Sequence, residues 1–271
     1  LIWGRGEDGQ LGLGHKNNVF VPTSIPRMEG FRIIEVALGL WHSMLLTEKG
    51  QVWSFGNSTY GQLGHGNLTE QLTPVLIQEL ESKRVVSIAA GSAHSVCILE
   101  SGEIYCWGSG IYGQIGNNEK EHATKPVLVK NLMGITAQKI ACGVNHTLAL
   151  MDNGAVYAWG AGTYGRLGLK SENDQHVPKE ISFLADKSVR TIACGGAQSA
   201  CVCAHQWVPD KDATACMNCN ATFTFIKRRH HCRYCGGIFC GTCTSKRKAI
   251  LRFGFDDPVR VCDYCYQILN L

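Results

Sequence analysis

The sequence predicts an all-β protein of repeated propeller blades joined to a small cysteine-rich module. Three observations predict it. A 52-residue register runs through the first 203 residues, its segments are short, β-branched or aromatic and closed by glycine, and eight cysteines sit as four Cys-x-x-Cys pairs in the last 65 residues. The chain of 271 residues carries a formal +4 charge and is 45% hydrophobic, which argues against disorder.

Those averages conceal a seam. Residues 207–271 hold ten Lys and Arg against five Asp and Glu, whereas residues 1–206 hold sixteen against seventeen. Glycine runs the other way, with 27 of 31 before residue 207. The expected domains are therefore 1–203 and 207–271. The longest apolar run, from Ile33 to Leu46, is broken by Glu35 and His42 and is too short to span a bilayer. The N-terminus shows neither a signal-peptide pattern nor an initiator Met, so the chain reads as a fragment of a longer one.

The register is constant to the residue. Trp3-Gly4, Phe55-Gly56, Trp107-Gly108 and Trp159-Gly160 are 52 apart, as are Pro22, Pro74, Pro126 and Pro178. Gly39, Gly91, Gly143 and Gly195 follow the same interval, and so do His42, His94 and His146, with Gln198 in the fourth place. Each unit opens on a strand such as Ile104-Tyr-Cys-Trp-Gly, continues through Gln-Leu-Gly and a polar loop to the proline, and closes on strands around the histidine. Four short strands in about 50 residues is the arithmetic of a propeller blade.

Other features of this region read as structure. The triplets Gly4/Gly6/Gly9, Gly108/Gly110/Gly113 and Gly160/Gly162/Gly165 match a dinucleotide fingerprint, but that motif needs a following helix, and here it recurs as a turn. The histidines are spread over successive blades, cannot converge on one metal, and are expected to tie blade turns together. Cys97, Cys106, Cys142, Cys194, Cys201 and Cys203 lack Cys-x-x-Cys spacing and are expected as small buried apolar residues. The sequons at Asn57, Asn67, Asn145 and Asn220 matter only in a secreted protein.

The repeat resembles that of the regulator of chromosome condensation family, on the pattern Trp-Gly-x-Gly-x-x-Gly-Gln-Leu-Gly followed by Gly-x-x-His-Ser/Thr. The resemblance covers about residues 1–203 and implies blades of a seven-bladed propeller. Only four units are present, so N-terminal repeats are expected to be missing. The founding member's action on a small GTPase makes nucleotide exchange the alternative function, although no exchange residue is matched here.

In the C-terminal module, Cys216/Cys219, Cys232/Cys235, Cys240/Cys243 and Cys262/Cys265 supply eight thiolates, enough for two four-sulfur zinc sites. Without a signal peptide, such knuckles point to zinc in a reducing compartment rather than to disulfides. A module this small needs the staple, worth about 10–16 kcal/mol of apparent binding energy. Spacing alone does not fix which pairs share an ion. The short interval from Cys235 to Cys240 favours interleaving, with Cys216, Cys219, Cys240 and Cys243 on one zinc and Cys232, Cys235, Cys262 and Cys265 on the other.

Between these knuckles lies Lys227-Arg-Arg-His-His-Cys-Arg233, and Arg260 precedes Cys262 by two residues. Guanidiniums crowded beside a metal knuckle repel one another without an anion, and Arg is suited to forked phosphate recognition. The predicted ligand is a compact phosphate.

The module resembles a FYVE zinc finger, with Trp207-Val-Pro-Asp210 matching its WxxD motif, Arg228-Arg-His-His-Cys-Arg233 its basic motif and Arg260-Val-Cys262 its RVC motif. The resemblance implies a reader of phosphatidylinositol 3-phosphate, peripheral on the cytoplasmic face of early endosomes, rather than an enzyme. It implies that Arg229, Arg233 and Arg260 grip the 3-phosphate and that Arg228 faces the 1-phosphate. Asp210, His230 and His231 would bond the inositol hydroxyls. It also makes Phe225 and Ile226 a membrane-dipping tip, with Phe223 in the core, while Lys227, Lys246, Arg247 and Lys248 add charge near an anionic leaflet. A ubiquitin ligase of the RING type is the third reading, disfavoured because eight cysteines leave no histidine to serve as ligand. The propeller then acts as a scaffold for an unidentified protein partner, and no nucleic acid is expected.

Overall fold

The structure is a computed structural model and describes residues 1–185, 187–204 and 207–270. Leu271, the last residue of the expected second domain, lies outside the described residues. The chain folds as two compact units, Leu1–Cys203 and Ala204–Leu271.

Among the described residues, sixteen strands form the first unit. They are β1 (Ile2–Gly4), β2 (Val19–Thr23), β3 (Ile33–Leu38), β4 (His42–Thr47), β5 (Val52–Gly56), β6 (Gln71–Leu76), β7 (Val85–Ala90) and β8 (His94–Leu99). The second half repeats them as β9 (Ile104–Gly108), β10 (Ala123–Leu128), β11 (Ala137–Cys142), β12 (His146–Met151), β13 (Val156–Gly160), β14 (Gln175–Glu180), β15 (Val189–Cys194) and β16 (Ser199–Cys203).

Neighbours pair antiparallel in chain order. Among the described residues of this unit they make three four-stranded sheets, β3-β4-β5-β6, β7-β8-β9-β10 and β11-β12-β13-β14, flanked by the two-stranded ladders β1-β2 and β15-β16. These are propeller blades, yet their phase differs from that of the sequence unit. The repeat opens on the aromatic-glycine strand, whereas each sheet takes its first two strands from the end of one sequence unit and its last two from the next.

The core lies between consecutive sheets, because alternate residues of the central strands face opposite neighbours. Met44 and Leu46 pack against Val85, Ile88 and Trp107 of the following sheet, while Leu45 joins Ile2, Leu11 and Phe55. The same alternation sends Val96 and Ile98 towards Ala149 and Trp159. Phe55, Trp107 and Trp159 are fully buried, but Trp3 is 59% exposed, since no described sheet precedes β1.

The aromatic-glycine pair has a steric reason. Gly56, Gly108 and Gly160 sit at φ of 110°, 99° and 101°. A Cβ there would lie 2.5 Å from the carbonyl oxygen of Trp41, Ala93 or Asn145, so only glycine lets the strand end beside the residue before each histidine. The fingerprint-like triplets close turns: the Gly9, Gly113 and Gly165 amides donate to the Gly6, Gly110 and Gly162 carbonyls at 2.8–3.0 Å.

The repeated histidines do more than tie a turn. His42 Nε2 is 2.8 Å from Ser95 Oγ, His94 Nε2 is 3.1 Å from Thr147 Oγ1, and His146 Nε2 is 2.9 Å from Ser199 Oγ, in every case on the next sheet. Ser95 Oγ in turn donates to the Gln62 carbonyl at 2.8 Å, and Trp107 Nε1 donates to the same oxygen at 2.9 Å. With its one proton committed to Gln62, the Ser95 hydroxyl accepts from His42 Nε2–H, so a neutral ring carries its proton on Nε2. Nδ1 of all three rings is buried without a hydrogen-bond partner among the described residues.

The cysteines of this unit divide. Cys97 and Cys106 are buried as expected, and burial pushes the Cys97 thiol well up. Cys201 and Cys203 depart from expectation: they lie on the edge strand β16, Cys203 exposed, with their sulfurs 3.7 Å apart. Cys201 packs at the margin of the last core cluster, next to the edge of β16 that pairs with no described strand.

Candidate metal centre and anion pocket

The second unit has little regular structure: β17 (His230–His231), β18 (Ile238–Phe239), β19 (Arg247–Ile250), β20 (Phe255–Arg260) and α1 (Asp263–Ile268). β17 pairs with β18, and β19 with β20. Its core is built around the cysteines, where Ala213, Phe223, Ile238, Phe239, Ile250 and Val261 pack against the buried thiols. Phe223 is buried, as its expected core role requires.

The sulfurs gather in two groups, Cys216, Cys219, Cys240 and Cys243 in one and Cys232, Cys235, Cys262 and Cys265 in the other. Within each group every sulfur lies within 4.8 Å of the others, and Cys219 Sγ is 3.8 Å from Cys240 Sγ. Four thiolates about 2.3 Å from a central zinc stand roughly 3.8 Å apart, so the sets are sized for tetrahedral zinc. The interleaved pairing is the one expected.

Electrostatics makes the same fit. A hydrogen bond from Cys235 holds the Cys232 thiol at about 4, with burial opposing and the backbone N–H groups of Cys235, Cys262 and Tyr234 assisting. Burial acts to raise Cys216, but the amides of Cys219, Cys240 and Asn218 outweigh it and bring the thiol to about 6. Their partners move the other way: burial, with neighbouring sulfurs adding to it, drives Cys243 and Cys265 up to about 12. Crowded thiols share few negative charges unless a cation neutralises them, and a Zn²⁺ ion in each group does so.

Beside the second group lies a pocket of about 300 Å³, lined by Arg229, His230, His231, Arg233, Arg247 and Arg260, with Val259. Among the described residues no carboxylate lines it. Backbone carbonyls hold three of the guanidiniums: Arg229 Nε donates to Ala213 at 3.0 Å, Arg233 Nη1 to His231 at 3.2 Å and Arg260 Nη1 to Thr244 at 3.1 Å. Arg229 also lies 5.1 Å over the Phe223 ring, and Arg233 lies 4.4 Å over Trp207. Cations close over aromatic faces are attracted by the ring quadrupole and fixed in direction. Burial, with the charges of Arg260 and Arg228 behind it, lowers His230.

The Trp-x-x-Asp segment braces this wall. Trp207 packs on the His231 ring at 4.8 Å, the Val208 carbonyl is 2.7 Å from His231 Nε2, and Asp210 Oδ1 is 3.6 Å from the same nitrogen. The pocket thus brings together Arg229, His230, His231, Arg233 and Arg260. Asp210 reaches it only through His231, and the exposed Arg228 does not line it. Phe225 and Ile226 are each 91% exposed, at a turn closed by the Thr224 amide donating to the Lys227 carbonyl at 3.1 Å.

Residues 1–209 match the family model of the RCC1-like domain, and residues 206–271 that of the FYVE zinc finger. The chain belongs to the RCC1-like family and carries a FYVE zinc finger. The RCC1-like part is 36% identical over 203 residues to the human E3 ubiquitin-protein ligase HERC2, covering 74% of this chain and 4% of that protein. It is 36% identical to the ultraviolet-B receptor UVR8 of Arabidopsis thaliana, covering 71% of this chain and 44% of the receptor. The chain therefore spans less than half of either relative. Among solved structures, human WBSCR16 superposes with a TM-score of 0.68 at 28% identity, over 74% of this chain and 52% of that one. Prp20p of Saccharomyces cerevisiae, at 24% identity and a TM-score of 0.61, shares the fold over 78% of this chain and 52% of its own.

The FYVE finger contains one pocket residue that sequence reasoning assigned elsewhere. Lys246, Arg247 and Lys248 read as diffuse membrane-facing charge, but strand alternation separates them. Lys246 turns to Asp263, 3.7 Å away, and to the Tyr266 ring, while Lys248 Nζ donates to Asn270 Oδ1 at 2.6 Å. Only Arg247 faces the pocket. The signal available was the period of two itself, once this run is taken as a strand.

Proposed function

We propose that the FYVE finger binds phosphatidylinositol 3-phosphate and recruits the RCC1-like unit, as an interaction scaffold, to the cytoplasmic face of early endosomal membranes. The observation that carries this reading is the carboxylate-free pocket in which Arg229, Arg233 and Arg260 converge beside a four-cysteine zinc site. Arg229, Arg233 and Arg260 take the 3-phosphate and His230 and His231 the ring hydroxyls, with Asp210 orienting His231. Arg228, outside the pocket, faces the 1-phosphate at the glycerol end. Phe225 and Ile226 enter the acyl boundary. Among the described residues no helix is long and apolar enough to cross a membrane, and two inserted side chains give only weak attachment. Headgroup, insertion and charge act together.

Vesicle co-sedimentation tests this. The 271-residue chain should bind vesicles containing phosphatidylinositol 3-phosphate and not those with unphosphorylated phosphatidylinositol, and Arg233→Ala should lose binding while keeping its zinc. Equal binding of both vesicle types, or an unaffected Arg233→Ala, overturns it. The ligase activity in HERC2's name belongs to a protein of which this chain matches 4%. Nucleotide release from a panel of small GTPases, unchanged on adding the chain, separates the scaffold from an exchange factor.

A further inference from the structure

Arg247 has no place in the headgroup reading above, and its surroundings give it one. It is the register partner of Arg260 across β19 and β20, so the two side chains leave the same face of the ladder as a directly opposed like-charged pair. Such a pair is unfavourable unless an anion sits between or over it. Arg229, Arg233 and Arg260 each donate to a backbone carbonyl, whereas the exposed Arg247 side chain makes no hydrogen bond or ion pair with any described residue. The lysines on either side are turned away and engaged with Asp263 and Asn270, so the guanidinium is singled out by the strand.

Charge sets the stoichiometry. The four arginines bring four positive charges to a pocket without a carboxylate. One phosphomonoester carries about −1.5 to −2 near pH 7, which answers roughly half of that. A second phosphomonoester on the same ring answers the rest, and Arg is built to take it in a forked geometry.

We propose that Arg247 forms a second phosphate subsite, so that this finger prefers an inositol lipid carrying a second phosphomonoester besides the 3-phosphate. The inference rests on the phosphoinositide reading above and refines it. Arg247 is then a specificity-determining residue: it adds affinity for the doubly phosphorylated ring and little for the singly phosphorylated one.

The test uses the zinc-loaded full chain, Arg247→Ala and Arg247→Gln, with Arg233→Ala as reference. Binding is measured to vesicles holding phosphatidylinositol 3-phosphate, its 3,4- or 3,5-bisphosphate, or phosphatidylserine alone, and to the matching soluble inositol phosphates. Wild type should bind at least one bisphosphate about tenfold more tightly than the monophosphate, both on vesicles and as free headgroup. Both Arg247 variants should lose that advantage while changing monophosphate binding by no more than about twofold, and Arg233→Ala should lose both ligands. Equal losses on mono- and bisphosphate, or an equal loss on phosphatidylserine vesicles, reduce Arg247 to diffuse surface charge and overturn the inference. Monophosphate binding with no bisphosphate preference also overturns it, leaving the proposed function standing. No binding to any phosphoinositide overturns both.

Discussion

The Arg233 amide donates a 2.9 Å hydrogen bond to the Arg260 carbonyl. That bond fastens the strand end carrying one pocket arginine to the knuckle carrying the other. Arg233 follows Cys232 directly and Arg260 precedes Cys262 by two residues, and both cysteines belong to the same sulfur group. The zinc that joins them sets the spacing of the two guanidiniums.

Zinc removal should therefore abolish anion binding before it touches the blades. Elemental analysis should find two zinc ions per chain, and a strong chelator should release both and end vesicle binding. The far-UV β signal of residues 1–203 should persist, because its cores contain no ligand cysteine. Cys262→Ser, which removes one ligand from the second group, should cut headgroup binding at least as severely as Arg233→Ala. Headgroup affinity that survives full chelation would separate the pocket from the metal.

Phe225 and Ile226 should matter only where there is a bilayer. Both are almost wholly exposed, so Phe225→Asp with Ile226→Asp should change folding stability by less than about 0.5 kcal/mol each. At about 0.8 kcal/mol per buried methylene, the pair should weaken vesicle binding by tenfold or more. Isothermal titration with the soluble headgroup should show no change. A parallel loss in that titration would make the turn part of the pocket wall.

Trp107 is predicted to stabilise the propeller through both its packing and its indole N–H. It is fully buried between two sheets, and its indole donates to the Gln62 carbonyl that Ser95 also uses. Trp107→Phe, which copies Phe55 of the preceding repeat, should cost about 0.5–1.5 kcal/mol for the lost hydrogen bond, since Ser95 still donates to the Gln62 carbonyl. Trp107→Ala should cost about 3–5 kcal/mol through the cavity it leaves. Urea denaturation of the two variants checks the order.

How much of this was legible in the sequence depended on whether the information was periodic. The 52-residue interval and the four Cys-x-x-Cys pairs are one-dimensional patterns, so the repeat length, the strand content and the number of four-sulfur sites could be read directly. The phase of the blades could not, since a repeat that straddles two sheets has the same period as one that fills a single sheet. His42 and Ser95 are 53 residues apart, so their contact appears only once consecutive sheets are stacked. Arg247 was hidden among lysines of the same charge, and only the β19–β20 register separated its direction from theirs.

The buried histidines should make the propeller acid-sensitive. Burial lowers His42 to about 4, and burial with the charges of His42 and His146 behind it lowers His94 to about 3. Burial, with the charge of Arg166 in support, lowers His146 to about 4. In the unfolded chain each titrates near 6.5, so as pH falls through that value the unfolded state takes up protons that the folded state refuses. The stabilisation is complete above pH 6.5 and is lost as pH drops from there towards about 4, at up to about 1.4 kcal/mol per pH unit for each ring. His94→Gln keeps a side-chain N–H donor for Thr147 and removes the titrating ring. Urea midpoints of wild type and His94→Gln should be compared at pH 7.5 and 5.5. The variant should be the less stable at pH 7.5 and should lose measurably less on acidification. The zinc module contributes equally to both proteins and cancels in the comparison. Parallel losses in the two would mean that His94 is protonated in place, and that its bond to Thr147 does not depend on a neutral ring.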